Sequence, residues 1–278
     1  MCPTIKPGPL NCSAPYCKEF PSLTVVDSFV ASVADIEGFI GVDNERRAIV
    51  VAIRASSAMI NWLPQALAVL VPYNHPSAPG ARVHYGIYQV AKPMFQRVTP
   101  MVREQLLQHP GYEVEVVGWS LGGWLTVLQT LNLLETVKEL DRNKLVAVTV
   151  GEPHLGNAKF VEYYDSYNIL TKRLVSNYDL APHTPPAFLG FKARKYEIFS
   201  KSLEYKGPVI QCIQPYDPVC SGYYPVTKYY VLQHFVWHGI SLSQCIPEFV
   251  MKGDVMGAYN SMFYGMGFKP GKNRTIAL

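Results

Sequence analysis

A short glycine-rich stretch around one serine constrains this chain more than any other feature. Residues 118–123 read Gly-Trp-Ser-Leu-Gly-Gly, with Ser120 as the serine. An alternating apolar run, residues 113–117, stops directly before this stretch, and a helical pattern begins directly after it. A strand, a tight turn and a helix in this order hold a nucleophilic serine above the edge of a sheet. The alternative is an ordinary glycine-rich turn that exposes its serine.

The segments around this turn alternate between predicted strands and helices. Residues 48–53 are apolar throughout, which is typical of a strand covered on both faces, and residues 38–42 precede them as the partner in a hairpin. The helix after Ser120 is predicted to reach about Leu140 because its apolar residues recur every three or four positions. Further strands are predicted at residues 144–150, 172–176 and 196–199, and a further helix at residues 156–167. This order predicts one α/β domain with a mostly parallel central sheet and helices on both faces.

Two apolar segments before the serine are harder to assign. Residues 64–73 are predicted to form a short helix. Residues 86–109 have helical character but contain Pro93 and Pro100. Since proline disrupts a helix interior but is tolerated in its first turn, we expect a broken start and a helix from about Pro100.

Both ends of the predicted domain, which covers residues 1–278, are irregular. Residues 1–22 are rich in proline and cysteine and are predicted to form an arm stapled by disulfides, and residues 22–37 show no clear period. The tail, residues 246–278, is rich in glycine and methionine and stays unassigned.

Charge and cysteine content narrow the class of protein. The net charge is +4 and the basic residues are scattered, which excludes a nucleic-acid patch. No run reaches the roughly 18 uncharged apolar residues that span a bilayer, and residues 1–20 lack the pattern of a signal peptide. Six cysteines are nevertheless typical of a secreted protein, and none forms a Cys-x-x-Cys pair with histidines for zinc. Their pairing is open at this point.

A serine nucleophile needs a histidine base within hydrogen-bond reach and an acid that orients the base. In a sheet of this kind the chain order is serine, acid, histidine, so both partners are sought after Ser120. Asp179 is favoured as the acid because it follows the predicted strand 172–176, and catalytic acids lie on loops at the carboxyl ends of parallel strands. The aspartates that we consider less suitable are Asp141, Asp165, Asp217 and Asp254.

His234 and His238 are the two late candidates for the base, with His154 and His183 as further histidines after the serine. The spacing of four could also suit metal ligands, but the residues between them include no acid, so no metal site is expected. An oxyanion would be stabilised by the amide of Leu121 and by a second amide from residues 54–57.

Five short motifs in order resemble those of the fungal class 3 lipases, a group of secreted triacylglycerol lipases that includes a type of feruloyl esterase. The resemblance covers roughly residues 2–245. The motifs are Arg54-Ala55-Ser56 with Asn61-Trp62, residues 118–123, Thr149-Val150-Gly151-Glu152-Pro153 with Gly156-Asn157, residues 179–186, and residues 234–239. Three positions depart from the usual pattern: Ala55 replaces a glycine, Gln65 an aspartate and Trp119 a histidine.

The resemblance implies an α/β-hydrolase fold and selects among the candidates. It implies Ser120, Asp179 and His234 as the catalytic triad, and Ser56 with Leu121 as the oxyanion hole. It also implies a short lid in or near residues 57–71. The disulfides suggested by the similar yeast lipases are Cys2–Cys245, Cys12–Cys17 and Cys212–Cys220.

The resemblance also implies a function. We expect a secreted, monomeric serine ester hydrolase without cofactor, which acts on an acyl lipid, most of all triacylglycerol, at an oil–water or membrane interface. One alternative is an esterase for smaller or aromatic esters of the feruloyl type. Another is a weakly active or inactive relative that only binds lipid.

Overall fold

The computed structural model describes residues 5–10, 19–31, 36–54, 68–202, 207–223, 228–229, 231–237 and 240–241. Nine strands of these residues form one sheet in the order β1-β2-β3-β4-β7-β8-β9-β10-β11. The strands are β1 Gly8–Pro9, β2 Leu23–Ala31, β3 Ile36–Asp43, β4 Ala48–Ile53, β7 Glu113–Trp119, β8 Leu145–Val150, β9 Leu170–Ser176, β10 Glu197–Ser200 and β11 Val209–Cys212. Two small sheets pair β5 Leu70–Pro72 with β6 Arg82–His84, and β12 Val236–Trp237 with β13 Ile240–Ser241.

The sheet is mixed. Its middle strands, from β4 through β7, β8 and β9 to β10, pair in parallel, and the strands outside them pair in antiparallel fashion. The predicted hairpin of β3 and β4 is confirmed. Because the middle strands are parallel, their carboxyl ends and the loops after them meet at one edge of the sheet. This edge is where the serine turn lies.

Strand β2 was not predicted. Its register against β3 shifts between Val25 and Asp27, so the chain contains an irregularity of the β-bulge type. Val25 pairs with Gly41 and Phe29 pairs with Gly38, and these two partners are three positions apart on β3. Because residues three apart on a strand point to opposite faces, the two halves of β2 turn their odd-numbered residues to opposite faces of the sheet. A bulge inserts an extra residue into the alternation of period two, which hides the strand from a search for that period.

Helix α1, Tyr85–Gln108, is continuous and contains Pro93 and Pro100, so the predicted break is wrong. A proline in a helix interior costs about 3 kcal/mol or more. The helix packs on the sheet with a face of buried residues, among them Ile87, Met94 and Val98. Each such side chain contributes about 1.5–3 kcal/mol when buried, so the buried face outweighs two prolines.

The other helices follow the predicted order with shorter bounds. Helix α2, Leu121–Thr136, ends before Leu140 because the backbone turns extended at Val137, and helix α3 is Ala158–Ser166. Residues 70–72 of the segment predicted as a short helix form β5 instead, and residues 64–67 lie outside the described part. None of the helices in the described ranges is long and apolar enough to cross a membrane.

A disulfide joins Cys212, the last residue of β11, to Cys220. This pair is one of the three that the resemblance implies. The other four cysteines lie outside the described residues, as does the tail 246–278. Of the predicted N-terminal arm, Gly8 and Pro9 pair with β2 at the edge of the large sheet.

Candidate active site

Ser120 occupies a strained turn between β7 and α2. Its backbone has φ 59° and ψ −118°, a conformation that side-chain-bearing residues rarely adopt. Its amide donates to the carbonyl of Val150 at the end of β8, with 2.9 Å between the two atoms. Strain of this kind persists where the surroundings fix it, and it often marks a functional site.

The two glycines of the turn are required by close approach of backbone atoms. A Cβ on Gly118 would lie 2.1 Å from the carbonyl oxygen of Gly122, and a Cβ on Gly122 would lie 2.3 Å from that of Ile53. At these glycines the backbones of strand β7, helix α2 and the end of β4 approach one another closely. The glycines of the motif set the sharpness of the turn.

Asp179 and His234 form a buried pair at the same edge of the sheet. Nδ1 of His234 lies 3.0 and 2.9 Å from Oδ1 and Oδ2 of Asp179, and both residues are at most 2% exposed. Oδ1 of Asp179 also accepts the amide of Ala181, which orients the carboxylate. Since a carboxylate only accepts hydrogen bonds, Nδ1 donates to Asp179, which leaves Nε2 as the ring atom that can accept a proton in the neutral imidazole. Nε2 is buried and has no hydrogen-bond partner among the described residues.

Gly151 places this pair beside the serine turn. It follows Val150, whose carbonyl binds the amide of Ser120, and its own position is within contact of both His234 and Asp179. A Cβ on Gly151 would lie 2.7 Å from Cε1 and 2.8 Å from Nδ1 of His234, and 2.9 Å from Oδ2 of Asp179. The end of β8 thus contacts the serine turn through one residue and the Asp–His pair through the next.

Leu121, the predicted oxyanion residue after the serine, is the first residue of α2 and is buried. Amides in the first turn of a helix lack a carbonyl from a preceding turn, so they can bind an anion. Ser56, Ala55, Gln65 and His238 lie outside the described residues, and so does most of the predicted lid.

Three other candidates, Asp141, Asp217 and His183, make contacts that stabilise the local structure. Asp141 and Asp217 accept backbone amides two residues further on, from Asn143 and Val219. The ring of His183 stacks on Tyr229 with 4.1 Å between the ring centres. In the part of the chain that the structure describes, no group of His, Cys, Asp and Glu side chains could hold a metal ion.

Two buried ion pairs behind the site were missed at the sequence level. Glu152, directly after Gly151, accepts two hydrogen bonds from Arg194 at 2.8 and 2.5 Å. Burial by itself would raise the pKa of Glu152, but the charge and hydrogen bonds of Arg194 outweigh it, and the pKa is lowered. The sequence did contain a signal for this ion pair: Glu152 is a charged residue that closely follows an apolar strand. A charge buried there needs a partner of opposite charge.

The second pair fixes the loop of Asp179. Arg173 on β9 donates to Glu197 on β10, and the two residues are register partners in the sheet. Arg173 also donates to the carbonyl of Pro182 at 3.3 Å, and Glu197 accepts the amide and hydroxyl of Ser221. The loop after β9 is therefore held to the sheet through the carbonyl of Pro182.

His183 lies within this loop and His154 contacts it, and both are buried, neutral side chains. His154 is 3% exposed, with Nδ1 2.8 Å from the carbonyl oxygen of Pro185 and Nε2 2.9 Å from the hydroxyl of Tyr216. Burial lowers the pKa of His154 to about 4 and that of His183 to about 3, from an ordinary value of 6.5. The positive charge of Arg173 lowers both further.

We expect the protein to lose stability as the pH falls below about 6.5. Between the unfolded pKa and the folded pKa the unfolded chain binds protons that the folded chain excludes, so the free energy of unfolding decreases. The expected slope approaches about 1.4 kcal/mol per pH unit for each of the two histidines. Urea unfolding at pH 7.0, 6.0 and 5.0 measures it.

The variant His154→Gln is the control for this slope. It removes one titrating group from the buried cluster, so the loss of unfolding free energy between pH 7 and pH 5 becomes smaller. An identical slope in the variant and the wild type would contradict the assignment to His154.

Comparisons with known proteins agree with this architecture. The family model for lipase (class 3) matches residues 50–189, just over half of the chain. The chain is 29% identical to a lipase of Rhizomucor miehei over 88% of this chain and 66% of that protein, and 27% identical to secreted mono- and diacylglycerol lipase 2 of Gibberella zeae over 76% and 62%. It thus spans less than two thirds of the length of these relatives.

Among solved structures, lipase II from Rhizopus niveus superposes with a TM-score of 0.77 at 28% identity, over 85% of this chain and 87% of the other. The mixed sheet with its strand–serine turn–helix unit is an α/β-hydrolase fold. The chain belongs to the class 3 lipase family.

Proposed function

We propose that this chain is a serine-dependent carboxylic ester hydrolase that acts on acyl lipids. The observation that carries the proposal is the buried Asp179–His234 pair, which adjoins the strained turn of Ser120 through Val150 and Gly151. A serine nucleophile needs a base close by and an acid that orients the base, and the hydrogen bonds between Asp179 and His234 support the acid–base part of this requirement.

In the proposed reaction, Oγ of Ser120 attacks the ester carbonyl carbon while Nε2 of His234 takes the hydroxyl proton. Asp179 keeps the imidazole in the tautomer with Nδ1 protonated and stabilises the imidazolium that forms. The tetrahedral intermediate breaks its bond to the alcohol oxygen, and His234 returns the proton to the leaving alcohol. Water then attacks the acyl-enzyme through the same groups and releases the fatty acid and free Ser120.

The negative oxygen of the intermediate needs donors aimed at it. The amide of Leu121 at the N-terminal end of α2 suits this role, because helix α2 adds its dipole there. The amide of Ser56 is proposed as the second donor, on the resemblance alone.

The substrate class is proposed from the relatives. Two of them bear the names lipase and mono- and diacylglycerol lipase, so an acyl glycerol is the substrate we propose for this chain, with triacylglycerol first. Because the second of these relatives is named for mono- and diacylglycerols, hydrolysis of tri-, di- and monoacylglycerols should be compared in one assay.

The first test is covalent labelling of the serine. We expect a fluorophosphonate probe to label the wild type and to leave Ser120→Ala unlabelled, because only a serine activated by a base reacts with this electrophile. Labelling is read by intact mass and by peptide mapping. Ser28→Ala, on β2, is the matched control and should be labelled like the wild type.

Equal labelling of the wild type and Ser120→Ala would refute the proposal. Labelling at Ser120 without hydrolysis of any ester, combined with lipid binding, would indicate a relative that only binds lipid. Activity restricted to short or aromatic esters would instead indicate an esterase of the feruloyl type.

We also infer that the protein is secreted and monomeric. The relative from Gibberella zeae is named as secreted, and the Cys212–Cys220 disulfide suits an oxidising compartment. Sedimentation of the purified protein would test the monomer.

A further inference from the structure

Trp119 is the last residue of β7 and directly precedes Ser120. Its side chain is partly buried, and its indole Nε1–H donates to the backbone carbonyl of His234, with 2.9 Å between nitrogen and oxygen. Of two consecutive residues, Trp119 therefore bonds to the backbone of the candidate base, and Ser120 is the candidate nucleophile.

The segment that carries His234 is short. His234 lies in the 3₁₀ turn Val231–Phe235, which continues into the two-residue strand β12. Neither element belongs to the large sheet. A turn of five residues does not fix a side chain by itself, since short helical pieces have few internal hydrogen bonds. The position of the histidine therefore depends on bonds from the rest of the protein.

The described residues supply two such bonds, at different atoms of His234. Asp179, after β9, holds ring atom Nδ1, and Trp119, at the end of β7, holds the carbonyl oxygen. The bond to the ring orients it, and the bond to the peptide fixes how far its Cα lies from the end of β7. Because Ser120 directly follows the end of β7, the second bond connects the backbone of the base to the residue before the nucleophile.

We propose that Trp119 is a positioning residue, whose indole N–H holds the backbone of His234 at the distance from Ser120 that proton transfer requires. This inference rests on the proposed function, since it gives a role to the same pair of groups. A general base must lie within about 3 Å of the atom that it deprotonates, and a shift of about 1 Å costs roughly 10²-fold in rate. Trp119 would not touch the substrate itself.

The test removes the N–H without removing the ring. Trp119→Phe is the simple variant, and replacement of Trp119 by 3-benzothienylalanine, in which sulfur replaces the N–H, is the isosteric one. We expect both to lower kcat about 10-fold on a soluble p-nitrophenyl ester, with KM within twofold and the melting temperature nearly unchanged. The rate of labelling by a fluorophosphonate should fall by the same factor.

Trp124 provides the matched control. It lies on α2, is 2% exposed, and its Nε1 has no hydrogen-bond partner among the described residues. The same sulfur replacement at Trp124 should leave kcat as it is in the wild type, because it removes an N–H that donates to none of these residues.

A double-mutant cycle separates positioning from general structural support. If Trp119 acts through His234, Trp119→Phe should cause no further loss in the His234→Ala background. A wild-type kcat in the benzothienylalanine variant, or a full additional 10-fold loss in that background, would overturn the proposal. A wild type that neither labels nor hydrolyses esters would overturn the proposed function as well, whereas an active wild type with unaffected Trp119 variants would overturn this inference alone.

Discussion

Asp179→Asn is expected to lower kcat about 10⁴-fold while KM stays within a few-fold of the wild type. An asparagine has nearly the same shape, and its oxygen can keep the hydrogen bond to the amide of Ala181. Its NH₂ group, however, donates a hydrogen bond toward Nδ1 of His234. The imidazole then favours the tautomer with the proton on Nε2, which cannot accept the serine proton.

The measurement is steady-state hydrolysis of a soluble ester, with circular dichroism and thermal unfolding to show that the variant is folded. Asp165→Asn is the control, since Asp165 is a partly buried aspartate on α3 that the sequence also offered as a candidate. It should retain kcat within about twofold of the wild type. A kcat for Asp179→Asn within tenfold of the wild type would exclude Asp179 as the acid that orients His234.

The sequence predicted which residues meet in this pair, but it could not predict the geometry of their meeting. Ser120 and Asp179 each follow a strand that the sequence predicts, so parallel pairing predicts one common edge. His234 lies on no strand of the large sheet, and its place depends on bonds from residues more than fifty positions away. Residue types and spacing left both His234 and His238 as candidates for the base, and only the resemblance to the lipase family selected His234.

Two wrong predictions about the fold, at α1 and at β2, have a related cause. Local patterns predicted a break at the prolines of α1 and found no strand at β2. In both places contacts between residues distant in sequence determine the secondary structure. The buried face of α1 outweighs its prolines, and β2 pairs with β3 on both sides of a bulge. Local propensity gives no information on how much apolar surface the rest of the chain will bury.

The contacts that hold the candidate catalytic residues in place were not predicted from the sequence. The ion pair of Glu152 with Arg194 and the bond from Trp119 to His234 join residues distant in sequence. Gly151 is the informative intermediate case. It belongs to a motif that the resemblance identified, yet the reason for a glycine there is visible only in the contacts of its missing Cβ.

Gly151→Ala is expected to lower kcat/KM at least about 100-fold. The added methyl group would overlap the ring of His234, with 2.7 Å to Cε1, and the carboxylate of Asp179, with 2.9 Å to Oδ2. Real contacts of this kind are longer, so the ring must move away from the end of β8. Because the amide of Ser120 is bonded to Val150, the neighbour of Gly151, that movement separates the base from the nucleophile.

Gly80→Ala is the matched control, because it adds the same methyl group at a similar backbone angle without the collision. Gly151 has φ +58° and Gly80 has φ +76°, but the nearest atom to a Cβ on Gly80 is 3.8 Å away, in the flexible side chain of Lys159. Both variants carry the left-handed strain of an alanine, about 1–2 kcal/mol of unfolding free energy. Only Gly151→Ala should also lose activity. If the two variants are equally destabilised and equally active, then Gly151 is present for its backbone angle alone, and the contact with the Asp179–His234 pair does not require a glycine.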